Sequence, residues 1–209
     1  MEIEFERTQI PDSDREHFRQ LHESGQFVKR WPEVIQLMLE TMASMTVALS
    51  LTEKHDNLLM WAHYARNHEG FVVGFDTDHS FFKSKGKGIY RLTKVAYSAN
   101  RPNVALSKLS LVDTYFTKGL DWEYEQEWRL FADVNDASEI KGNKPYPICL
   151  FDLPAEAIAE VIVGCRANND LTTSVSSILN SNPRLRHVTF KKAVINEKEY
   201  KLDIVPIET

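Results

Sequence analysis

Cysteine is almost missing from this chain. Two occur in 209 residues, Cys149 and Cys165, too few for a disulfide framework. Both sit in apolar surroundings, PICLF and VIVGCR, where a small buried thiol is expected. Long hydrophobic runs are missing as well: no stretch approaches the ~20 apolar residues that would span a bilayer. The opening MEIEFERTQ has neither the basic nor the apolar region of a secretory leader. These absences predict a cytoplasmic protein with no membrane partner. Excess positive charge is also lacking. Lys and Arg number 25 against 30 Asp and Glu, a formal net charge of −5, which argues against a general electrostatic grip on nucleic acid or anionic lipid. Glycine numbers 8 and never forms a G-x-G-x-x-G that opens a helix. KSKGKG has the composition of a phosphate loop but not its G-x-x-x-x-G-K-[ST] order, so it reads as a solvated turn.

What is present is an ordinary globular composition, 43% hydrophobic and 26% charged, on a chain long enough for one large domain. A chain this size buries roughly 70% of the surface its unfolded form exposes, so it needs no covalent staples. There is no internal repeat. Polar residues 12–24 predict a helix stopping at Gly25, and Pro32 opens a second, with Leu37, Met38, Met42 and Met45 at helical spacing. Thr46 to Leu51 reads as a strand ending near Ser50. Asp56 can cap a helix reaching Asn67, with Leu58, Trp61, Ala62 and Ala65 on one stripe and Gly70 as the stop. FVVGF, RLTKVAYS, YEQEWRLFA, PYPICLFDL and EVIVG predict strands, the first of them buried. Pro102 to Lys118 predicts a helix, as does DLTTSVSSILNS, ended by Asn182-Pro183. HVTFKKAVI and YKLDIVPI flank NEKE as a closing hairpin. Helices and strands mix without strict alternation, so the expected fold is a single α+β domain with a mixed, mostly antiparallel sheet and flanking helices.

Two groups of residues carry candidate chemistry. On a strand, Glu125, Glu127, Arg129 and Phe131 of YEQEWRLF point the same way. Two carboxylates so close raise each other's pKa, while Arg129 can hold one of them ionised through a paired hydrogen bond. Such a pair suits stabilising a developing positive charge or orienting a hydroxyl; an ordinary Glu–Arg ion pair on a solvent-facing strand has the same spacing. The second group is Trp61, His63, Tyr64 and His68. His63 and His68 are five apart rather than the four a helical metal pair needs, so no metal is expected. Trp61 and Tyr64 suit the sandwiching of a planar ring, although aromatics beside an apolar stripe more often fill a core. Ser50 at a strand end suits a pocket rim, but no G-x-S-x-G elbow surrounds it to support serine-hydrolase chemistry. Tyr97, in VAYS, joins the ligand-binding candidates.

Taken together, the strand ending in Ser50, DNLLMWAHYARNHEGFVVGFD, VAYS, DWEYEQEWRLF and the I-x-x-V-I-V-G of Ile158 to Gly164 resemble a bacterial family, domain of unknown function 2971. The likeness runs from about residue 46 to 164. It departs from the family's pattern twice. A preceding strand with an Asn-Asp-Pro segment has no counterpart, which would leave a site incomplete if that piece contributes to one. The usual Cys-Phe-Ser of the strand before the helix reads Ala48-Leu49-Ser50. That family brings no assigned activity.

A looser resemblance, to the ADP-ribosyltransferases, rests on the Glu-x-Glu strand, a strand-end Ser or Tyr and an earlier His. It implies NAD as substrate, with Glu127 and Glu125 catalytic. Glu127 would stabilise the ribosyl cation and Glu125 would orient the acceptor. Ser50, His63 or Tyr64 would contact the nicotinamide ribose. Trp61, Tyr97 and Arg129 complete the candidate ligand-binding set. The alternative is a non-catalytic ligand-binding or regulatory module, in which the Glu–Arg pair is architectural. Nuclease chemistry has little support, because no catalytic lysine pattern accompanies the acidic pair. The partners expected are a nucleotide-like small molecule and, in a homodimer, a second copy of the chain.

Overall fold

Contacts gather the chain into two units, Met1–Thr46 and Val47–Thr209, and the architecture below belongs to the second. The computed structural model describes residues 40–41, 44–83, 91–101, 115–142 and 147–207. The predicted helix over 12–24 and most of the one opened by Pro32 lie outside these residues, as do most of KSKGKG and of the segment from Pro102. No helix among the described residues is long and apolar enough to cross a membrane.

The elements run β1 (Thr46–Thr52), α1 (Leu58–Tyr64), β2 (Phe71–Phe75), β3 (Thr93–Lys94), β4 (Ala96–Ser98), β5 (Thr117–Gly119) and β6 (Glu127–Asp133). They continue with β7 (Glu139–Lys141), β8 (Ile148–Leu150), β9 (Ile158–Val163), α2 (Asn169–Ser181), β10 (Thr189–Ile195) and β11 (Leu202–Pro206). The strands form a four-stranded sheet ordered β11-β10-β9-β2, a three-stranded sheet ordered β1-β6-β3, and two pairs, β4-β5 and β7-β8. Pairings β2/β9, β10/β11, β3/β6 and β7/β8 are antiparallel, while β9/β10 and β4/β5 are parallel. The expected α+β class is what forms, divided into several small sheets.

The four-stranded sheet holds the core. Successive residues of β9 point to opposite faces: Ile162 packs with Trp61, Ala65, Ala193 and Leu202 on one side, and Val161 and Val163 pack with Val175, Leu179 and Phe190 on the other. The helix α1 therefore covers one face and α2 the second, which explains why EVIVG is apolar without alternation. Between the parallel strands β9 and β10 the chain crosses through α2, started by the Asn168 side chain, which accepts the Leu171 N–H at 2.8 Å. Asn182 ends it as expected. The closing hairpin also forms, β10 on β11.

Several expectations need correction. Asn57, not Asp56, caps α1, its Oδ1 accepting the N–H groups of Leu59 and Met60 at 2.9 and 3.2 Å. The helix stops at Tyr64, well before Asn67, because Arg66, Asn67 and His68 adopt positive φ of 47°, 53° and 69°. This left-handed stretch is fixed by close approach: the Gly70 N–H donates to Ala65 O at 2.9 Å, and a Cβ on Gly164 would fall 2.0 Å from His68 O. The strand β2 is not buried throughout, since Phe71 is exposed and the rest half-buried. The end of the segment predicted as a helix to Lys118 is a strand, because Thr117–Gly119 lies parallel to Ala96–Ser98 with Lys118 opposite Tyr97. Glu125 does not share a strand with Glu127: it ends a 3-10 helix, Leu120–Glu125, and left-handed Gln126 (φ 45°) turns the chain into β6. Both thiols are free and only partly buried, with Cys165 against the Trp61 cluster.

Candidate functional site

A cleft of about 900 Å³ opens within the second unit, toward the upper end of the range for small-molecule pockets. The three-stranded sheet contributes Ser50, Leu51 and Thr52 of β1 and Glu127, Trp128 and Arg129 of β6. The four-stranded sheet contributes Val72, Val73, Gly74 and Phe75 of β2 and Glu160 of β9, and α1 adds Met60, Trp61 and Tyr64. One wall is mostly polar and the other mostly apolar.

The polar wall centres on two buried carboxylates, Glu125 and Glu127, with 3% and 5% of their surface exposed. Burying two like charges is costly unless both are paired and hydrogen-bonded. Lys118, reaching in from β5, bridges them: its ammonium donates to Glu125 Oε2 and, at 3.0 Å, to Glu127 Oε2. Arg129 grips Glu127 with both prongs, Nε to Oε1 at 2.8 Å and Nη2 to Oε2 at 3.0 Å, while its Nη1 donates to Tyr115 O at 2.5 Å. The Tyr64 hydroxyl donates to Glu125 Oε1 at 2.8 Å. The two glutamates and two cations balance in charge.

Backbone bonds set this geometry. The Tyr97 hydroxyl accepts the Glu127 N–H at 2.8 Å, and Thr52 Oγ1 donates to Glu125 O at 2.5 Å. Asn57 Nδ2 donates to Tyr124 O at 3.3 Å, so the cap of α1 also holds the turn that carries Glu125. The ring of Trp122 lies 5.0 Å from the Lys118 ammonium.

The protonation states follow from these contacts. Burial pushes the Glu127 carboxyl up, but hydrogen bonds from Arg129, Ser50 and Lys118 outweigh it and hold it at about 2. The expectation that the two glutamates raise each other is therefore corrected for Glu127, since cations and donors dominate over like-charge repulsion. Burial likewise lowers Lys118, and its bonds to Glu125 and Glu127 reverse the direction, so it stays charged. Donation to Glu125, with burial, raises the Tyr64 phenol.

Of the sequence candidates, Ser50, Tyr64, Glu125, Glu127 and Arg129 meet at the cleft. Tyr97 stands behind it as an anchor. Trp61 lines the cleft but is 1% exposed, with its indole N–H donating to His55 O at 2.7 Å, so it is a core residue before it is a platform. His63 does not line the cleft: it is exposed and lies edge-on to Tyr64, with ring centroids 6.2 Å apart. His68 lies outside as well. Its buried Nδ1 has no hydrogen-bond partner among the described residues, and burial followed by nearby Arg166 lowers its pKa. Sequence reasoning missed Lys118, placed at the end of an expected helix, and Glu160 and His55 on the facing wall. The signal for Lys118 was the buried pair itself, whose two charges require more than one cation. No group of three or more His, Cys, Asp or Glu side chains among the described residues is arranged to hold a metal ion.

Fold and site thus define an α+β protein with a paired-carboxylate cleft lined by strands of two small sheets. Residues 60–130 match the family described as protein of unknown function, DUF2971, in keeping with the resemblance carried by the W-A-H-Y and Y-E-x-E-W-R motifs. The matched span contains Tyr64, Tyr97, Lys118, Glu125, Glu127 and Arg129, while Ser50 and Glu160 fall outside it. Neither a curated protein nor a solved structure matches the chain.

Proposed function

We propose that the cleft binds NAD or a related nucleotide and cleaves its nicotinamide–ribose bond, as an ADP-ribosyltransferase-like enzyme. One observation carries this reading: Ser50, Tyr64, Glu125 and Glu127, from separate elements, converge on a cleft large enough for a nucleotide. An ionised carboxylate in a low-dielectric cleft suits an oxocarbenium-like centre, and Glu127 is ionised above about pH 2. As the C1′–N bond breaks, its electron pair leaves with neutral nicotinamide. Water or an acceptor hydroxyl then adds to C1′, giving its proton to Glu125. The bond from Lys118 to Glu127 is single-point and exchangeable for one from a ribose hydroxyl, whereas the Arg129 fork stays in place.

Nicotinamide release from NAD, followed by chromatography, tests the reading. Glu127→Gln is expected to lower the rate at least about 100-fold while the far-ultraviolet spectrum stays native. Wild-type protein that neither binds nor cleaves NAD discards the reading.

The saturation of Glu127 favours a second reading, a non-catalytic binding module. Both its oxygens are engaged within the protein, as in a structural ion-pair network. On that reading Glu127→Gln lowers the melting temperature and leaves ligand affinity intact.

A further inference from the structure

We infer that Glu160, on the wall facing the carboxylate pair, is a second binding subsite that reads the hydroxyl groups of a sugar ring. The assignment rests on the proposed nucleotide reading for the identity of the sugar, and on the structure of the cleft for the rest. Four glutamates line the cleft: Glu53, Glu125, Glu127 and Glu160. Glu53 accepts from Lys94 on Oε1 and from Trp128 on Oε2, Glu125 from Tyr64 and Lys118, and Glu127 from Arg129 on both oxygens. Glu160 differs. Lys191 donates to its Oε2 at 2.6 Å, but Oε1 accepts no hydrogen bond among the described residues. His55 Nδ1 lies 3.7 Å from it, too far for a hydrogen bond. The Glu160 side chain is 20% exposed, and a carboxylate oxygen on a cleft wall without a donor among the described residues is free to accept one from a ligand.

The backbone shows how this acceptor is placed. Glu160 stands opposite Gly74 in the β2/β9 register. A Cβ at Gly74 would lie 2.5 Å from Glu160 Cγ and 2.8 Å from Oε1, so the glutamate stem lies across β2 through the space that glycine leaves. Glycine weakens a strand interior, and its presence there marks a close approach of this kind. Lys191 then fixes one oxygen, and Glu160 takes its place in the cleft lining with the other oxygen unbonded among the described residues. A fixed carboxylate with an open lone pair suits a ribose hydroxyl, the way an acidic residue reads the ribose of a dinucleotide. NAD carries two riboses, and the cleft offers carboxylates on two walls: the Glu125–Glu127 pair for the reacting ribose and Glu160 for the remote one.

Calorimetric titration with adenosine and with 2′,3′-dideoxyadenosine, which lacks both ribose hydroxyls, tests this. Wild-type protein is expected to prefer adenosine by about 10-fold or more, the worth of a charge-assisted hydrogen bond. Glu160→Ala removes the acceptor, and Gly74→Ala displaces it without removing it; in each the preference is expected to fall below about 3-fold. A wild type indifferent to the hydroxyls, or a Glu160→Ala protein that keeps the preference, overturns the subsite. Nicotinamide release separates this from the proposed activity. Protein that reads adenosine through Glu160 but leaves NAD intact keeps the subsite and discards the hydrolysis. Protein that cleaves NAD with KM unchanged by Glu160→Ala does the reverse.

Discussion

The two walls of the cleft are held together by different forces. The four-stranded sheet is sealed by side-chain packing, with Ile162 and Val163 fully buried and a helix on each face. The three-stranded sheet buries charge instead, and its shape depends on hydrogen bonds that Thr52, Asn57 and Arg129 donate to neighbouring carbonyls and that Tyr97 accepts from the Glu127 N–H. Packing is non-directional and tolerates volume-conserving changes. A buried ionic network has no such tolerance, since removing one member strands another without a partner. The apolar wall therefore serves mainly stability, Glu160 being its polar exception, and the polar wall fixes the direction of a few atoms.

Breaking each wall separately makes the contrast measurable. The largest effect is expected from Trp61→Ala, which empties the centre of the α1 face and should cost about 4 kcal/mol in urea unfolding. Arg129→Met leaves Glu127 buried and half-paired and should cost about 3 kcal/mol. The double change Glu127→Leu with Arg129→Met should recover much of that loss, a coupling that a double-mutant cycle reads directly. No such recovery is expected for paired changes across the apolar wall.

Acid sharpens the same comparison. The folded pKa of Glu127, about 2, lies below its ordinary value of 4.5. Its ionised form therefore stabilises the fold fully above about pH 4.5, and that contribution fades as pH falls toward 2. The amount at stake is about 3 kcal/mol. Urea midpoints followed from pH 6 to pH 2.5 should fall steeply in the wild type and less steeply in Arg129→Met.

Tyr97→Phe comes next. It leaves the Glu127 N–H without its acceptor and should cost about 1–2 kcal/mol, together with any ligand affinity that depends on the placement of Glu127. The smallest effect belongs to a charge outside both walls. Glu156→Gln, which breaks an exposed pair with Arg184, should leave the melting temperature unchanged.

The apolar wall was the more legible in sequence. The strand EVIVG, the helix DLTTSVSSILNS with its Asn182-Pro183 stop and the closing hairpin follow from local pattern and appear as expected, while the burial expected of FVVGF does not. The residues of the polar wall were nameable, but their arrangement was not. Strand alternation placed Glu125 and Glu127 on one face, and the structure brings them together by another route, a 3-10 turn and left-handed Gln126. Lys118 was hidden because its partner strand lies about twenty residues upstream in sequence, a pairing that no local periodicity reports. Glu160 was hidden for a related reason. Its significance comes from Gly74 across the sheet, and an isolated glutamate on a strand carries no mark of it.

Lys118, Glu125, Glu127 and Arg129 all fall between positions 118 and 129. Their mutual contacts close only short loops, whose entropic cost is small beside that of joining β2 to β9. The ion-paired quartet is thus, with the β10/β11 hairpin, among the more local contact sets of the molecule, although its anchors Thr52, Tyr64 and Tyr97 are distant in sequence. It is expected to assemble early in folding and to persist in partly unfolded states, while the cleft itself takes shape only when the long-range sheet docks. Native-state hydrogen exchange would report this order, with the Glu127 amide opening no earlier than those of β2.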